Sequence, residues 1–210
     1  MILSDREIKA ALTNRFIVIS PEPPEERWTS TAIDLSLDGV LLNWKEPAAP
    51  PSGGDNRLYP NRDGFDIRTM LGDDRYTART AIDPERGFTL EPRLFVLGFN
   101  LEKIWLPKDS RIAARVEGKS SLARLGVGIH VTAPTIHAGF GFNPTKPDDP
   151  GLPIQLEIFN LGNQRVVLDI GMPICQLILE EVREVPNKGY ANRFSTQGHF
   201  TADPEGPTKD

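Results

Sequence analysis

The chain has 210 residues, 39% of them hydrophobic, enough for one sizeable core with small appendages. Its net charge of −5 argues against wholesale nucleic-acid binding, and no apolar stretch approaches membrane-spanning length. One cysteine, Cys175, excludes an internal disulfide and a multi-cysteine zinc site, and 19 prolines favour many short elements over long helices.

Ser4-Asp-Arg-Glu7 reads as a capping box, and Ile8, Ala11 and Leu12 follow at helical spacing, so the pattern predicts a helix over 5–13. No signal-peptide layout precedes it, and a cytoplasmic protein is expected. Phe16–Ser20 reads as a strand that Pro21, Pro23 and Pro24 end. Ala32–Leu37 alternates, with Ile33, Leu35 and Leu37 on one face. Residues 46–57, rich in proline and glycine, are expected to form a mobile loop, and nothing regular is predicted between 58 and 86.

From residue 88 the pattern is β-rich. Strands are predicted at Phe88–Pro92, Arg93–Asn100, Arg111–Val116, Val127–Val131, Pro153–Phe159, Val166–Ile170 and Ile174–Leu179. Glycine and proline turns separate them at short intervals, which suggests a sandwich, barrel or jelly roll in one domain over 1–210. Residues 143–151 are a polar excursion, and the tail from about 186 is polar and expected to be flexible.

Glu117-Gly-Lys-Ser-Ser-Leu-Ala-Arg-Leu-Gly126 carries the strongest local signal. Gly118 allows close backbone approach to a ligand, and a short helix over Ser120–Leu125 sets Ser120 and Arg124 on one face. Lys119, Ser120, Ser121 and the free N–H groups of the helix start then form an anion pocket, and Gly126 stops the helix. Arg111, Arg115, Lys119 and Arg124 supply a local basic patch on an acidic protein. A Walker loop needs glycine at 113, where this chain has alanine. A capped helix with a surface arginine is the alternative reading.

Glu157 shares a strand face with Gln155 and Phe159, opposite Ile154, Leu156 and Ile158. A partly buried carboxylate there suits general acid/base work; otherwise it is an outward-facing glutamate on an exposed sheet. His130 is a strand histidine open to structural or catalytic use, His137 sits in a predicted turn, and His199 lies in the tail. There is no G-x-S-x-G elbow, no H-E-x-x-H and no H-x-E…P-C-x-x-C signature, so no residue is assigned as a metal ligand and no zinc is expected.

Taken together, these blocks resemble bacterial dCTP deaminase, a family of the trimeric dUTPase-like superfamily. The resemblance runs through Met1–Ala10, Ile19–Pro24, Ala32–Leu37, Gly118–Gly126, His130–Ala133, Gln155–Asn160 and Gly171–Leu177. It implies a distorted β jelly roll, a homotrimer with active sites at subunit interfaces, and hydrolytic deamination of dCTP to dUTP and ammonia, with Mg²⁺ riding on the triphosphate. By resemblance Glu157 is the general base and acid, and Ser120 and Arg124 orient the water and stabilise charge. Backbone around Val131, Thr132 and Ala133 would hold the pyrimidine. Lys119, Ser120 and Ser121, on the turn with Leu122 and Ala123, would hold phosphates. Gln155 and Leu156 belong to the matched strand, and Tyr190, Arg193 and Gln197 are the nearest tail counterparts of nucleotide-contacting residues.

Two departures stand out. Where the superfamily carries an aspartate that in dUTPases serves the sugar and the hydrolytic water, this chain has Ile136-His-Ala-Gly139. That weighs against diphosphatase chemistry and leaves His137 as the sugar-side candidate. The 143–151 excursion is the other. A bifunctional deaminase-diphosphatase and a non-catalytic nucleotide-binding regulator are the rival functions.

Overall fold

The computed structural model of the chain describes residues 1–46, 57–129, 133–142 and 151–187. Its first element is the helix α1 (Asp5–Thr13), opened by the expected capping box. Glu7 Oε2 accepts from the Ser4 N–H at 2.7 Å, and the Ser4 hydroxyl accepts from the Glu7 N–H. Ile8 and Ala11 face the core.

The strands follow as β1 (Val18–Ser20), β2 (Ile33–Ser36), β3 (Val40–Trp44), β4 (Thr77–Ala81), β5 (Phe88–Leu90) and β6 (Phe95–Phe99). Then come β7 (Lys103–Trp105), β8 (Ile112–Gly118), β9 (Val127–Ile129) and β10 (Thr135–Ile136). The last are β11 (Gln155–Asn160), β12 (Val166–Leu168) and β13 (Pro173–Glu181). One helical turn, α2 (Ile67–Leu71), precedes β4, and another, α3 (Ser120–Ala123), joins β8 to β9.

Two antiparallel sheets hold the core between them. One runs β10-β8-β13-β2 and the other β4-β3-β6-β11-β9, with β1-β7 and β12-β5 as two-stranded ribbons. Alternation decides what each sheet buries. Ile33, Leu35, Val116, Leu177 and Leu179 point inward from the first, and Leu41, Val96, Ile129, Leu156 and Ile158 from the second, into one continuous cluster. This is a two-sheet antiparallel sandwich, one of the architectures the strand pattern allows, and it agrees with the β fold the resemblance implies. No helix among the described residues is long and apolar enough to cross a membrane.

Five elements differ from the sequence expectation. β3 and β4 pair along Val40–Trp44 and Thr77–Ala81, in or beside stretches where no strand was expected. β4 reads Thr-Ala-Arg-Thr-Ala, with only Thr77 buried, so an edge strand lacking large apolar residues has no hydrophobic period to betray it. β7, three residues long, pairs with β1 and is too short to alternate visibly. Thr135–Ile136, expected within a turn, pairs with Arg115 and Ala114 before the chain turns at His137. α2 is also unheralded: Asp66 caps it by accepting from the Arg68 N–H at 3.0 Å.

Two buried asparagines lock β11. At its start, Asn100 Oδ1 accepts from the Ile154 N–H at 2.5 Å, while Asn100 Nδ2 donates to the Glu102 carbonyl at 2.6 Å. The buried Glu102 carboxylate accepts from the Ser36 N–H at 3.0 Å, so this knot ties β2 of one sheet to β6 and β11 of the other. At the far end, Asn160 Nδ2 donates to the carbonyls of Leu90 (2.9 Å) and Gln164 (2.8 Å), and Oδ1 accepts from the Gly162 N–H at 2.9 Å. Asn160 is wholly buried, so Asn160→Ala leaves two carbonyls and one N–H without that partner. Urea unfolding is expected to show a loss of about 3 kcal/mol or more; a loss below about 1 kcal/mol would mean that water replaces the amide.

Candidate active site

The Gly118–Gly126 turn bridges the two sheets. β8 delivers it from the four-stranded sheet, and β9 carries the chain directly into the five-stranded sheet beside β11. Within it, α3 is a single turn with Arg124 at its C-cap, shorter than the Ser120–Leu125 helix expected. Gly126 ends it with φ +89, a conformation glycine adopts without strain. A Cβ there would lie 2.4 Å from the Gly162 nitrogen, and the Leu161 N–H donates to the Gly126 carbonyl at 2.8 Å. The turn is therefore pressed backbone to backbone against the segment that leaves β11.

Three of the four cations in the basic patch read from sequence lie beside carboxylates. Arg111 lies 3.7 Å from the Glu181 carboxylate, and Arg115 lies 3.3 Å from Glu180 and 3.6 Å from Glu117. β8 pairs along the acidic end of β13, which sets Arg115 of β8, and Arg111 just before it, beside those carboxylates. Lys119 is held by Asp34, whose other carboxylate oxygen accepts from Gln176 Nε2 at 2.9 Å. Asp34 and Gln176 are cross-strand partners on β2 and β13, and Asp34 is only 8% exposed. Arg124 is exposed and makes no ion pair among the described residues. Ser120 and Ser121 are likewise exposed, with no side-chain hydrogen bond among the described residues.

Glu157 lies mid-strand on β11, opposite Leu97 of β6, which in turn pairs with Leu42 of β3. Its Oε2 is buried and the residue is only partly exposed, so it is neither a core carboxylate nor a freely solvated one. Gln155 and Phe159 share its face. Phe159 packs over bare backbone: a Cβ on Gly128 would come within 2.3 Å of its ring. Asn160 pairs with Val127, the first residue after the turn, and Glu157 is three residues back, about 10 Å along the strand.

Of the other residues read from sequence, Leu122 and Leu156 bury their side chains in the core, so only their backbone is open to a ligand. Ala123, Ala133 and His137 are exposed, His137 at the turn after β10 where the Phe140 N–H donates to its carbonyl at 3.0 Å. His130, Val131, Thr132, Tyr190, Arg193, Gln197 and His199 lie outside the described residues, as do nearly all of the 46–57 loop and 143–151 excursion and the tail from 188. Asp34 and Gln176 were not singled out from sequence. A carboxylate alternating with Ile33 and Leu35 was the available signal, of the same kind that marked Glu157.

A family model described as dCTP deaminase-like matches residues 2–182. The chain belongs to that family. Among curated relatives, a "dCTP deaminase, dUMP-forming" of Methanosphaera stadtmanae is 32% identical over 91% of this chain and 84% of its own length. A "dCTP deaminase" of Rhodospirillum rubrum is 32% identical, covering 91% of this chain and 88% of that protein. The crystal structure of 2'-deoxycytidine 5'-triphosphate deaminase from Agrobacterium tumefaciens superposes with a TM-score of 0.59 at 19% identity. That match covers 86% of this chain and 48% of the other, so this chain spans about half its length. The likeness supports the fold.

Two outcomes follow for this family member. Burial pushes the Cys175 thiol up, and the Glu102 and Asp34 carboxylates push it further. A thiol reagent at about pH 8, near the ordinary cysteine range, should leave the native protein unmodified and label it on denaturation; rapid native labelling would show that this region opens. Gly126→Ala must move the turn away from Gly162. Turnover should fall at least tenfold, and the melting temperature should fall too, because the displaced Gly162 N–H is the one that Asn160 Oδ1 accepts from; native-like values of both would show that the turn is not pressed against this segment.

Proposed function

We propose that this chain deaminates dCTP by direct hydrolysis, yielding dUTP and ammonia. The observation that carries the reading is the division of labour on the turn and on β11. Ser120, Ser121 and Arg124 stand exposed and uncommitted among the described residues, while the neighbouring cations are neutralised. A half-buried carboxylate stands on the adjoining strand. Membership of the dCTP deaminase-like family supplies the substrate class.

In this reading a water attacks C4 of the cytosine ring. Glu157 takes the proton from that water, passes it to N3, and then carries a second proton to the leaving amine as the tetrahedral intermediate collapses. The sum is dCTP and water to dUTP and ammonia. Ser120 and Arg124 orient the water and offset the negative charge that develops on its oxygen as it gives up its proton. Ser121 and the backbone of Leu122 and Ala123 contact the triphosphate, which brings its own Mg²⁺. Lys119 joins them by sharing its ammonium between Asp34 and a phosphate oxygen. Backbone at Val131, Thr132 and Ala133 holds the pyrimidine, His137 stands on the sugar side, and Tyr190, Arg193 and Gln197 complete the nucleotide pocket.

The reading includes a homotrimer with its sites between subunits. The outer face of the five-stranded sheet supports this. Register sets Phe95, Leu97 and Phe99 beside Phe159, Glu157 and Gln155, with Leu42 continuing the Leu97 row; Phe95 is 39% exposed, whereas Leu97 and Phe99 are already buried within the chain. The exposed Phe95 end of this row is the part open to a subunit contact, beside a strand that carries the half-buried Glu157.

A second reading is favoured by the names of several relatives, which are dUMP-forming. In it a further water cleaves the triphosphate, giving dUMP, pyrophosphate and ammonia. His137, where the superfamily's aspartate would stand, weighs against it. The test is to incubate the protein with dCTP and separately with dUTP, with Mg²⁺, and to assay ammonia, pyrophosphate and nucleotides. Ammonia and dUTP from dCTP, with dUTP left intact, fit the first reading; dUMP with pyrophosphate fits the second. Glu157→Gln should lower kcat at least about a hundredfold while dCTP still binds, and Arg124→Ala should lower it by a similar factor. Undiminished turnover in either variant would remove that residue from the mechanism.

A further inference from the structure

Gln155 carries an unexplained polar group at the centre of the site. Its Nε2 is buried and makes no hydrogen bond among the described residues. A buried amide donor without a partner is costly, and such groups are rare in folded proteins unless something else completes them. Its cross-strand partner on β6 is Phe99, which has no side-chain acceptor. The strand also fixes where Gln155 points. Ile154, Leu156 and Ile158 take the core face, leaving Gln155 on the face of Glu157, two residues away and about 6.6 Å along the strand.

We infer that Gln155 is a base-reading residue: its amide N–H donates to the ring carbonyl oxygen O2 of a bound pyrimidine. This rests on the deamination reading. Two side chains on one strand face, spaced as these are, bracket a six-membered ring. The carboxylate meets the edge that reacts, N3 with the C4 amine, and the amide meets the next acceptor round the ring. N3 itself is a poor partner for the amide. It gains a proton during the reaction, and a donor facing it would then oppose a donor. O2 remains an acceptor in cytosine, in the intermediate and in uracil. Gln155 therefore contributes binding that is equal in ground and transition states, which acts on KM rather than on kcat. It also selects for a base with an acceptor at that position.

The experiment compares dCTP with its 2-thio analogue, in which sulfur is the weaker acceptor, on the full chain and on Gln155→Met. Methionine keeps the length and volume of the side chain and removes the donor. With dCTP, Gln155→Met should raise KM about tenfold and leave kcat within about threefold. The native protein should prefer dCTP over the thio analogue by about tenfold in kcat/KM, and the variant by less than about threefold, because the two changes remove the same contact. An unchanged preference ratio in the variant, or an unchanged KM, overturns the inference while leaving deamination intact. No ammonia from dCTP with the native protein overturns the deamination reading itself. Should Gln155→Met fail to fold, Gln155→Glu serves: an acceptor facing O2 must raise KM by more than the methionine variant's expected tenfold. An unaltered KM in that variant also overturns the inference.

Discussion

The structure depends on how β11 is held. It is a central strand, paired on one side with β6 and on the other with β9, and its alternate residues Leu156 and Ile158 are fully buried. Pairing and burial set its register, but a strand can still slide or tilt at its ends. Asn100 closes one end through the Ile154 N–H, and Asn160 closes the other through three backbone groups. Hydrogen bonds of this kind are worth little in net stability when made, yet cost several times more when one partner is removed. They restrict the alternatives more than they strengthen the native state. Glu157 and Gln155 inherit their positions from that restriction.

The same strand end positions the turn. Gly126 and Gly162 allow two backbones to touch, since a Cβ on Gly162 would lie 2.1 Å from the Leu125 carbonyl oxygen. The turn that carries Ser120 and Arg124 is thus referenced to β11 rather than to its own short helix. One helical turn has little stability of its own. Here it is held because β8 and β9 enter different sheets and because Leu122 is anchored in the core.

The sequence was most legible where a single physical rule governs a segment. The Ser4–Glu7 capping box, the Ile33-Leu35-Leu37 face and the alternation of Ile154, Leu156 and Ile158 with Gln155, Glu157 and Phe159 all appear as read. Elements stabilised mainly by their neighbours were hidden. β4 is held by pairing with β3, and β7 by pairing with β1, so neither carries a period of its own. The site followed the same division. The carboxylate on β11 and the hydroxyls on the turn could be located from local pattern. The fate of the cations could not, because it depends on which residues of β13 pair with β8 and which residues of β2 lie beyond β13 in the same sheet. Counting four positive charges in fourteen residues suggested a patch; the cross-strand register shows three of them already balanced.

That balance bears on how an acidic protein can accept a triphosphate. A cluster of free cations would attract any polyanion, and a chain of net charge −5 would gain little selectivity from it. The carboxylates of β13 beside Arg111 and Arg115 offset part of the positive potential those residues would otherwise present. Lys119 occupies an intermediate position. Its partner Asp34 is nearly buried and is also bonded to Gln176, so the ammonium is fixed in place before any ligand arrives. A cation fixed in this way offers direction more than net charge, and a ligand must match that direction to gain from it. Arg124 and the two serines then supply the adaptable contacts. In the proposed reaction, recognition rests on geometry set by the sheets, with the metal-bound triphosphate already carrying part of its own neutralisation.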